Sequence, residues 1–194
     1  MTLDSVLAEI RACRACAPDL AHAPRPILQV RAETRLLICG QAPGRRVHES
    51  GKPFDDPSGD RLRRWMGIDR ETFYGHPAIG VAAMAFCYPG TAAGGGDHPP
   101  PARCATLWRS RLLESLPKVE LTLLLAGRPR CGPWVEGPKA RWTAPCAPGQ
   151  TICPPSWVMP HPSWRNSGWL AHNPWFEAEV TPYLRRRVRD LLAA

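Results

Sequence analysis

The sequence predicts an α/β fold, a single-domain three-layer α/β/α sandwich around a mainly parallel, four-stranded sheet. Three observations lead there. Short, wholly apolar runs such as Leu36-Leu37-Ile38-Cys39 end at glycine, as strands buried on both faces do. Segments with apolar residues at helical spacing alternate with these runs. Strands that alternate with helices build parallel sheets covered on both sides.

Taken in order, residues 2–12 form an amphipathic helix, with Leu3, Val6, Leu7 and Ile10 on one face. A loop with Cys13 and Cys16 and a Pro-rich stretch follow, and Leu36–Cys39 is the first strand. Residues 40–57 read as a loop, and a helix runs from about Ser58 to Met66, capped by Ser58 or Asp56. Residues 78–86 (AIGVAAMAF) read as the second strand. The Gly- and Pro-rich segment 88–102 is long enough to imply a functional or mobile loop. A helix over 103–116, a strand over 119–126, a short strand over 157–160 and a basic helix over about 174–192 complete the pattern. Residues 128–153, rich in Pro and Trp, carry no assignable element. No repeat and no second domain is evident, so residues 1–194 read as one unit with the Cys-containing segment 1–33 packed on it.

Composition narrows the function classes. A net charge of +8 and a pI near 9.4 favour an anionic partner such as nucleic acid. No apolar run approaches the ~20 residues of a membrane helix, and residues 1–7 lack the pattern of a secretory signal. The expected setting is therefore the cytoplasm, the expected state a monomer. The eight cysteines then suggest metal or packing roles rather than disulfides.

Cys13 and Cys16 form a C-x2-C pair, Cys87 follows the second strand and Cys104 opens the next helix. Such a set can ligate a 4Fe–4S cluster or zinc. Four-cysteine zinc sites more often come as two tight pairs, so the wide second spacing leans towards iron–sulfur. Cys39, Cys131, Cys146 and Cys153 read as ordinary cysteines, with Cys146 and Cys153 open as a looser second group. The stretch Gly40-Gln-Ala-Pro-Gly44 leads into Gly51-Lys-Pro-Phe54 and Asp56-Pro-Ser-Gly-Asp60, and His161-Pro-Ser163 leaves the last strand. A P-loop is excluded, because no G-x4-G-K-[ST] pattern occurs there. Ligands of open parallel sheets bind beyond the carboxyl ends of the strands, so these loops should converge.

Together these motifs resemble the uracil-DNA glycosylase superfamily, particularly its iron–sulfur branches, in order and in spacing over nearly the whole chain. The resemblance implies an N-glycosylase that extrudes a uracil or another deaminated base from DNA and hydrolyses its glycosidic bond. Phe54 would stack on the base, and His161 would donate to uracil O2 and stabilise the leaving anion. Cys13, Cys16, Cys87 and Cys104 would hold a structural 4Fe–4S cluster, with zinc the alternative. Gln41, Ala42 and His48 would join Phe54 around the base.

Two departures stand out. The family 4 pattern has Glu where this chain has Gln41, which cannot ionise and so cannot serve as a base. Asp56 resembles the first aspartate of the family 5 D-x-S-G-D motif and is the first candidate for water activation and cation stabilisation. It competes with a plain N-cap role. Glu49 is the second candidate. Asp60 is expected to face Arg63 or Arg64 across a helical turn. Residues 82–86 lack the Asn with which many relatives read the base edge, which opens the pocket to hypoxanthine or xanthine. Arg45, Arg46, Ser163, Trp164, Arg165 and Asn166 are the expected DNA contacts, with Trp164 or Arg165 filling the gap left by the base. A glycosylase-fold protein that binds DNA or a damaged base without strong activity is the rival reading.

Overall fold

The computed structural model describes residues 2–126 and 156–193. Its centre is a four-stranded sheet in the order β2-β1-β3-β4, all parallel, with β1 Leu36–Cys39, β2 Ile79–Val81, β3 Leu121–Ala126 and β4 Ser156–Pro160. The pairing aligns Leu36 with Ile79 on one side and with Leu121 on the other, and Thr122 with Ser156. The carboxyl ends of the strands therefore lie along one edge.

Helices cover both faces, and the alternation of strand side chains decides which. Leu36 and Ile38 of β1, with Leu121, Leu123 and Leu125 of β3, are buried with Leu62, Trp65 and Met66 of α3 (Pro57–Met66). Leu184, Val188 and Leu191 of α7 (Thr181–Ala193) join the same layer. Leu37 points the other way, into a core made by Val6, Leu7 and Ile10 of α1 (Leu3–Ala12) and Cys104, Trp108 and Leu112 of α5 (Ala102–Glu114). This is the expected three-layer arrangement. Thr2 caps α1 through its hydroxyl, and Asp69 caps a further short helix, α4 (Arg70–Gly75), by accepting from the Thr72 N–H.

Two expectations are corrected. The second strand ends at Val81 rather than at Phe86. Beyond it, Met84 and Ala85 donate their N–H groups to the carbonyls of Gly40 and Gln41, so the chain follows the loop leaving β1. The segment read as loop over 40–57 contains a helical turn and a half, α2 (Arg45–Ser50), closed by Gly51 at φ 73°. There the left-handed conformation calls for glycine. The closing basic helix runs without a break over residues 175–193 but begins with a π-helical segment, Phe176–Val180, before α7, and a separate short helix, α6 (Ser167–His172), precedes it. Among the arginines of α7, Arg185 donates to the Arg64 carbonyl at 2.9 and 3.2 Å, capping the C-terminal end of α3. The stretch 128–153, with Cys131, Cys146 and Cys153, lies outside the described residues.

Candidate active site at the strand ends

The strand order reverses between β1 and β3, where ligands of such sheets bind. The loops leaving β1 and β4 meet there. Phe54 is held with φ 55°, an uncommon backbone state for a bulky residue that costs about 1–3 kcal/mol and persists only where neighbours impose it. The Tyr74 hydroxyl donates to the Pro53 carbonyl at 3.0 Å, and the Arg63 guanidinium donates to the Phe54 carbonyl at 3.3 Å. Gly59 lies so close that a β-carbon there would stand 1.8 Å from that carbonyl oxygen. Arg63, only 5% exposed, is paired with Asp60 at 2.7 Å and lies over the rings of Phe73 and Tyr74. Asp60 thus meets Arg63, one of its two expected partners.

The Phe54 ring has Phe73 edge-on at 6.4 Å and His161 on its other side, also at 6.4 Å with a 30° tilt. A β-carbon at Gly40 would stand 3.9 Å from the tip of the Phe54 ring, so the first glycine of the opening motif borders the same space. His161 is fixed from behind. Its Nδ1 accepts from the Ser163 N–H at 3.2 Å, and its carbonyl accepts from the Asn166 amide at 2.8 Å. With Nδ1 an acceptor, the neutral ring carries its proton on Nε2. Burial holds the His161 pKa below the ordinary histidine range; the Asp56 charge opposes this and Arg165 reinforces it. The result is a neutral imidazole with one N–H to donate.

Asp56 takes the N-cap role that the sequence left open as one of its two alternatives. One carboxylate oxygen accepts from the Gly59 N–H at 2.8 Å and caps α3, and its charge reaches His161. The other candidates are placed differently. Glu49 is exposed and pairs with Arg45 at 2.9 Å along α2. His48, expected beside the base, turns instead towards His22 and Tyr88, with ring centroids 5.4 and 5.7 Å away. Its Nδ1 is buried with no hydrogen-bond partner among the described residues. Ala42 packs against the α1–α5 core, whereas Gln41 is exposed. Helix α2 redirects these side chains: its period separates Val47, which is buried, from Arg45, Arg46 and Glu49, which face solvent.

Among the expected DNA contacts, Trp164 is 76% exposed, with the Arg165 guanidinium over its ring at 5.5 Å. Arg45 and Arg46 are exposed, and Ser163 is half-buried. Asn166 is 5% exposed; it braces His161 from inside rather than facing a duplex. Sequence reasoning missed Arg61, which donates to the Ser163 carbonyl and the Ser167 hydroxyl, each at 3.1 Å, and so ties α3 to the His161 loop. Its position beside Asp60 in the D-x-S-G-D stretch was the available signal.

Cys13, Cys16, Cys87 and Cys104 line one cavity, closed by Ile10, Leu20, Pro24, Phe86 and Trp108. Burial raises the thiol pKa of Cys16, Cys87 and Cys104, that of Cys87 to about 11, and the neighbouring thiols add to the rise. Among the described residues, no group of three or more Cys, His, Asp or Glu side chains is drawn together closely enough to hold a metal as it stands. The donor type and the shared cavity suit a thiolate-ligated centre.

A constrained aromatic, a half-buried histidine and a nearby carboxylate thus meet at the carboxyl ends of the strands. The sequence matches the family model of the uracil DNA glycosylase superfamily over residues 28–185. The chain belongs to that superfamily, and the match carries with it a glycosylase-type hydrolase acting on DNA in base-excision repair. None of the helices among the described residues is long and apolar enough to cross a membrane.

Proposed function

We propose that the protein is a DNA-repair N-glycosylase that flips uracil, or another deaminated base, out of DNA and leaves an abasic site. The observation that carries this reading is His161, whose Nδ1 accepts from the Ser163 N–H, leaving an Nε2–H with no partner among the described residues on a ring 6.4 Å from that of Phe54. The flipped base stacks on Phe54, and Nε2–H stabilises the negative charge that develops on the departing base. The Asp56 carboxylate offsets the cationic character of the sugar. Trp164 and Arg165 occupy the gap in the duplex, while Arg45 and Arg46 contact phosphates. Ala83, half-buried after β2, brings no amide to the base edge, so the reading includes deaminated purines as well as uracil.

The Cys13, Cys16, Cys87 and Cys104 thiols are proposed to hold a 4Fe–4S cluster. Such a centre supplies a structural tie between the segment after α1 and the start of α5, and no chemical step needs it. Replacing Cys13 and Cys16 together with Ala is expected to lower folded yield and remove visible-range absorbance and bound iron. A colourless parent that contains zinc would overturn the iron–sulfur assignment.

The function itself is tested by base release from duplexes containing uracil, hypoxanthine or xanthine, followed by cleavage of the abasic product. Release from none of them would favour a DNA-binding protein on a glycosylase fold. Asp56→Asn isolates the charge in this assay, because Asn caps helices about as well as Asp. The expected result is a single-turnover rate about tenfold or more lower with an unchanged melting temperature. Full activity in this variant would remove Asp56 from the chemistry.

A further inference from the structure

The opening motif lacks an acid at Gln41, and the carboxylates around it are already engaged. Asp55 bonds Arg70 at 2.6 Å, Asp60 bonds Arg63 at 2.7 Å, Glu49 bonds Arg45 at 2.9 Å and Asp56 caps α3 at 2.8 Å. An arginine partner stabilises the charged form and makes a carboxylate a poorer base, and the Asp55 pKa is accordingly held low, first by its hydrogen bond to Arg70.

One carboxylate at this edge differs. Residues 90–98 fold back on themselves: Ala92 N–H donates to the Gly96 carbonyl and His98 N–H to the Gly90 carbonyl, each at 2.8 Å, and Thr91 bridges Asp97. Gly95 and Gly96 take φ of 78° and 98° at the tip, and the Tyr88 hydroxyl bonds that of Thr91 at the base. This hairpin touches both motif loops. The Asp97 Oδ2 stands 3.6 Å from where a β-carbon on Gly44 would be, and the Arg165 guanidinium lies 3.3 Å from the corresponding position on Gly96. Asp97 forms no hydrogen bond or ion pair among the described residues. Although the residue is exposed, loss of hydration raises the pKa of its carboxyl, against the weaker opposing effect of the Arg165 charge.

We infer that Asp97, delivered by the Gly90–His98 hairpin to the end of the opening motif, is the general base that replaces the missing acid at position 41. The inference rests on the glycosylase reading above. In the reaction, the oxygen of a water bonds to the sugar C1′ and its proton passes to the Asp97 carboxylate. The bond from C1′ to the base nitrogen breaks, and its electron pair leaves with the base as an anion, stabilised by the His161 Nε2–H. Asp97 then returns its proton to solvent. The glycine-rich tip lets the hairpin adjust as DNA enters, and Arg165 links its position to the His161 loop.

The test is single-turnover base release from a uracil-containing duplex by the parent, Asp97→Asn, Asp97→Glu and the double variant Asp97→Asn/Gln41→Glu. Melting temperature and DNA affinity are measured alongside. Asp97→Asn is expected to lose about 100-fold or more in rate, with melting temperature and affinity unchanged. Asp97→Glu keeps the acid and is expected to retain more than about a tenth of the rate. Gln41→Glu in the Asp97→Asn background is expected to recover about tenfold, since it returns an acid to the same loop as Gly44. An Asp97→Asn rate close to that of the parent overturns the inference and leaves the glycosylase reading intact. So does a loss of rate matched by an equal loss of DNA affinity, which would make Asp97 a positioning residue for Arg165. A parent that releases no base overturns the glycosylase reading itself.

Discussion

His161→Ala is expected to reduce single-turnover base release by about 100- to 1,000-fold, the usual cost of removing one preorganised donor to a developing anion. The size follows from how the donor is prepared. The Ser163 N–H occupies Nδ1 and Asn166 holds the His161 carbonyl, so Nε2–H is presented without a search among tautomers or rotamers. The surroundings of His161 also set a pH dependence. Burial lowers its pKa, helped by Arg165 and opposed by Asp56, so the neutral form persists as pH falls through the ordinary histidine value near 6.5. The rate is therefore expected to hold through that value and to fall only below the lowered pKa, where imidazolium forms. A pH–rate profile of the parent checks this, and a decline centred at or above the ordinary histidine value would overturn the neutral-donor role. Asn166→Ala offers a related check, since loosening the loop should lower the rate without shifting that limb.

Gly59→Ala is expected to cost about 2–3 kcal/mol of stability, in the range of overpacked interiors. For a chain of this size the fall in melting temperature is then about 5–10 °C. The added β-carbon would stand 1.8 Å from the Phe54 carbonyl oxygen, 2.8 Å from its carbon and 2.9 Å from the Phe54 β-carbon. None of these is the end of a flexible side chain, so the backbone of Phe54 has to move. That motion pulls the carbonyl away from Arg63 and releases the φ 55° conformation that aims the ring at the pocket. Base release should fall together with stability. Thermal melting and single-turnover assays on one preparation check both, and a variant that melts like the parent would show that the motif glycine is not required for close approach.

These two residues lie in motifs that the sequence makes visible. Position within H-P-S and D-x-S-G-D was enough to single out His161 and the Asp56–Asp60 stretch. Both motifs follow strands or open helices, and local chain geometry dictates their residue types. The short apolar runs marked the strands because a parallel strand buried on both faces needs no polar residues. The same logic overextended β2, since Ala82, Ala85 and Phe86 are buried, yet Ala85 donates to Gln41 of the opening loop and Phe86 accepts from Ile27 instead of continuing the ladder. Burial and strand pairing leave the same apolar signature, and only the backbone partners separate them.

The roles of side chains within the opening stretch were less readable. His48 and Glu49 lie near Phe54 in sequence, yet helix α2 sends them towards Tyr88 and solvent. Arg61 and Asn166 look like surface residues in the sequence, and each braces the His161 loop. Asp97 carries no motif at all; it reaches Gly44 only because the hairpin folds back across the strand ends.

By itself, the sequence determined the α/β class, the strand and helix periodicities, the family and the residue types of its motifs, because these depend on local spacing and burial. Only the tertiary structure decided which carboxylate is capped, which is paired and which stands open, and which nitrogen of His161 keeps its proton. Those properties depend on contacts between segments far apart in the chain. Hydrogen bonding and desolvation, both set by such contacts, are what turn an aspartate or a histidine into a base, a cap or a donor.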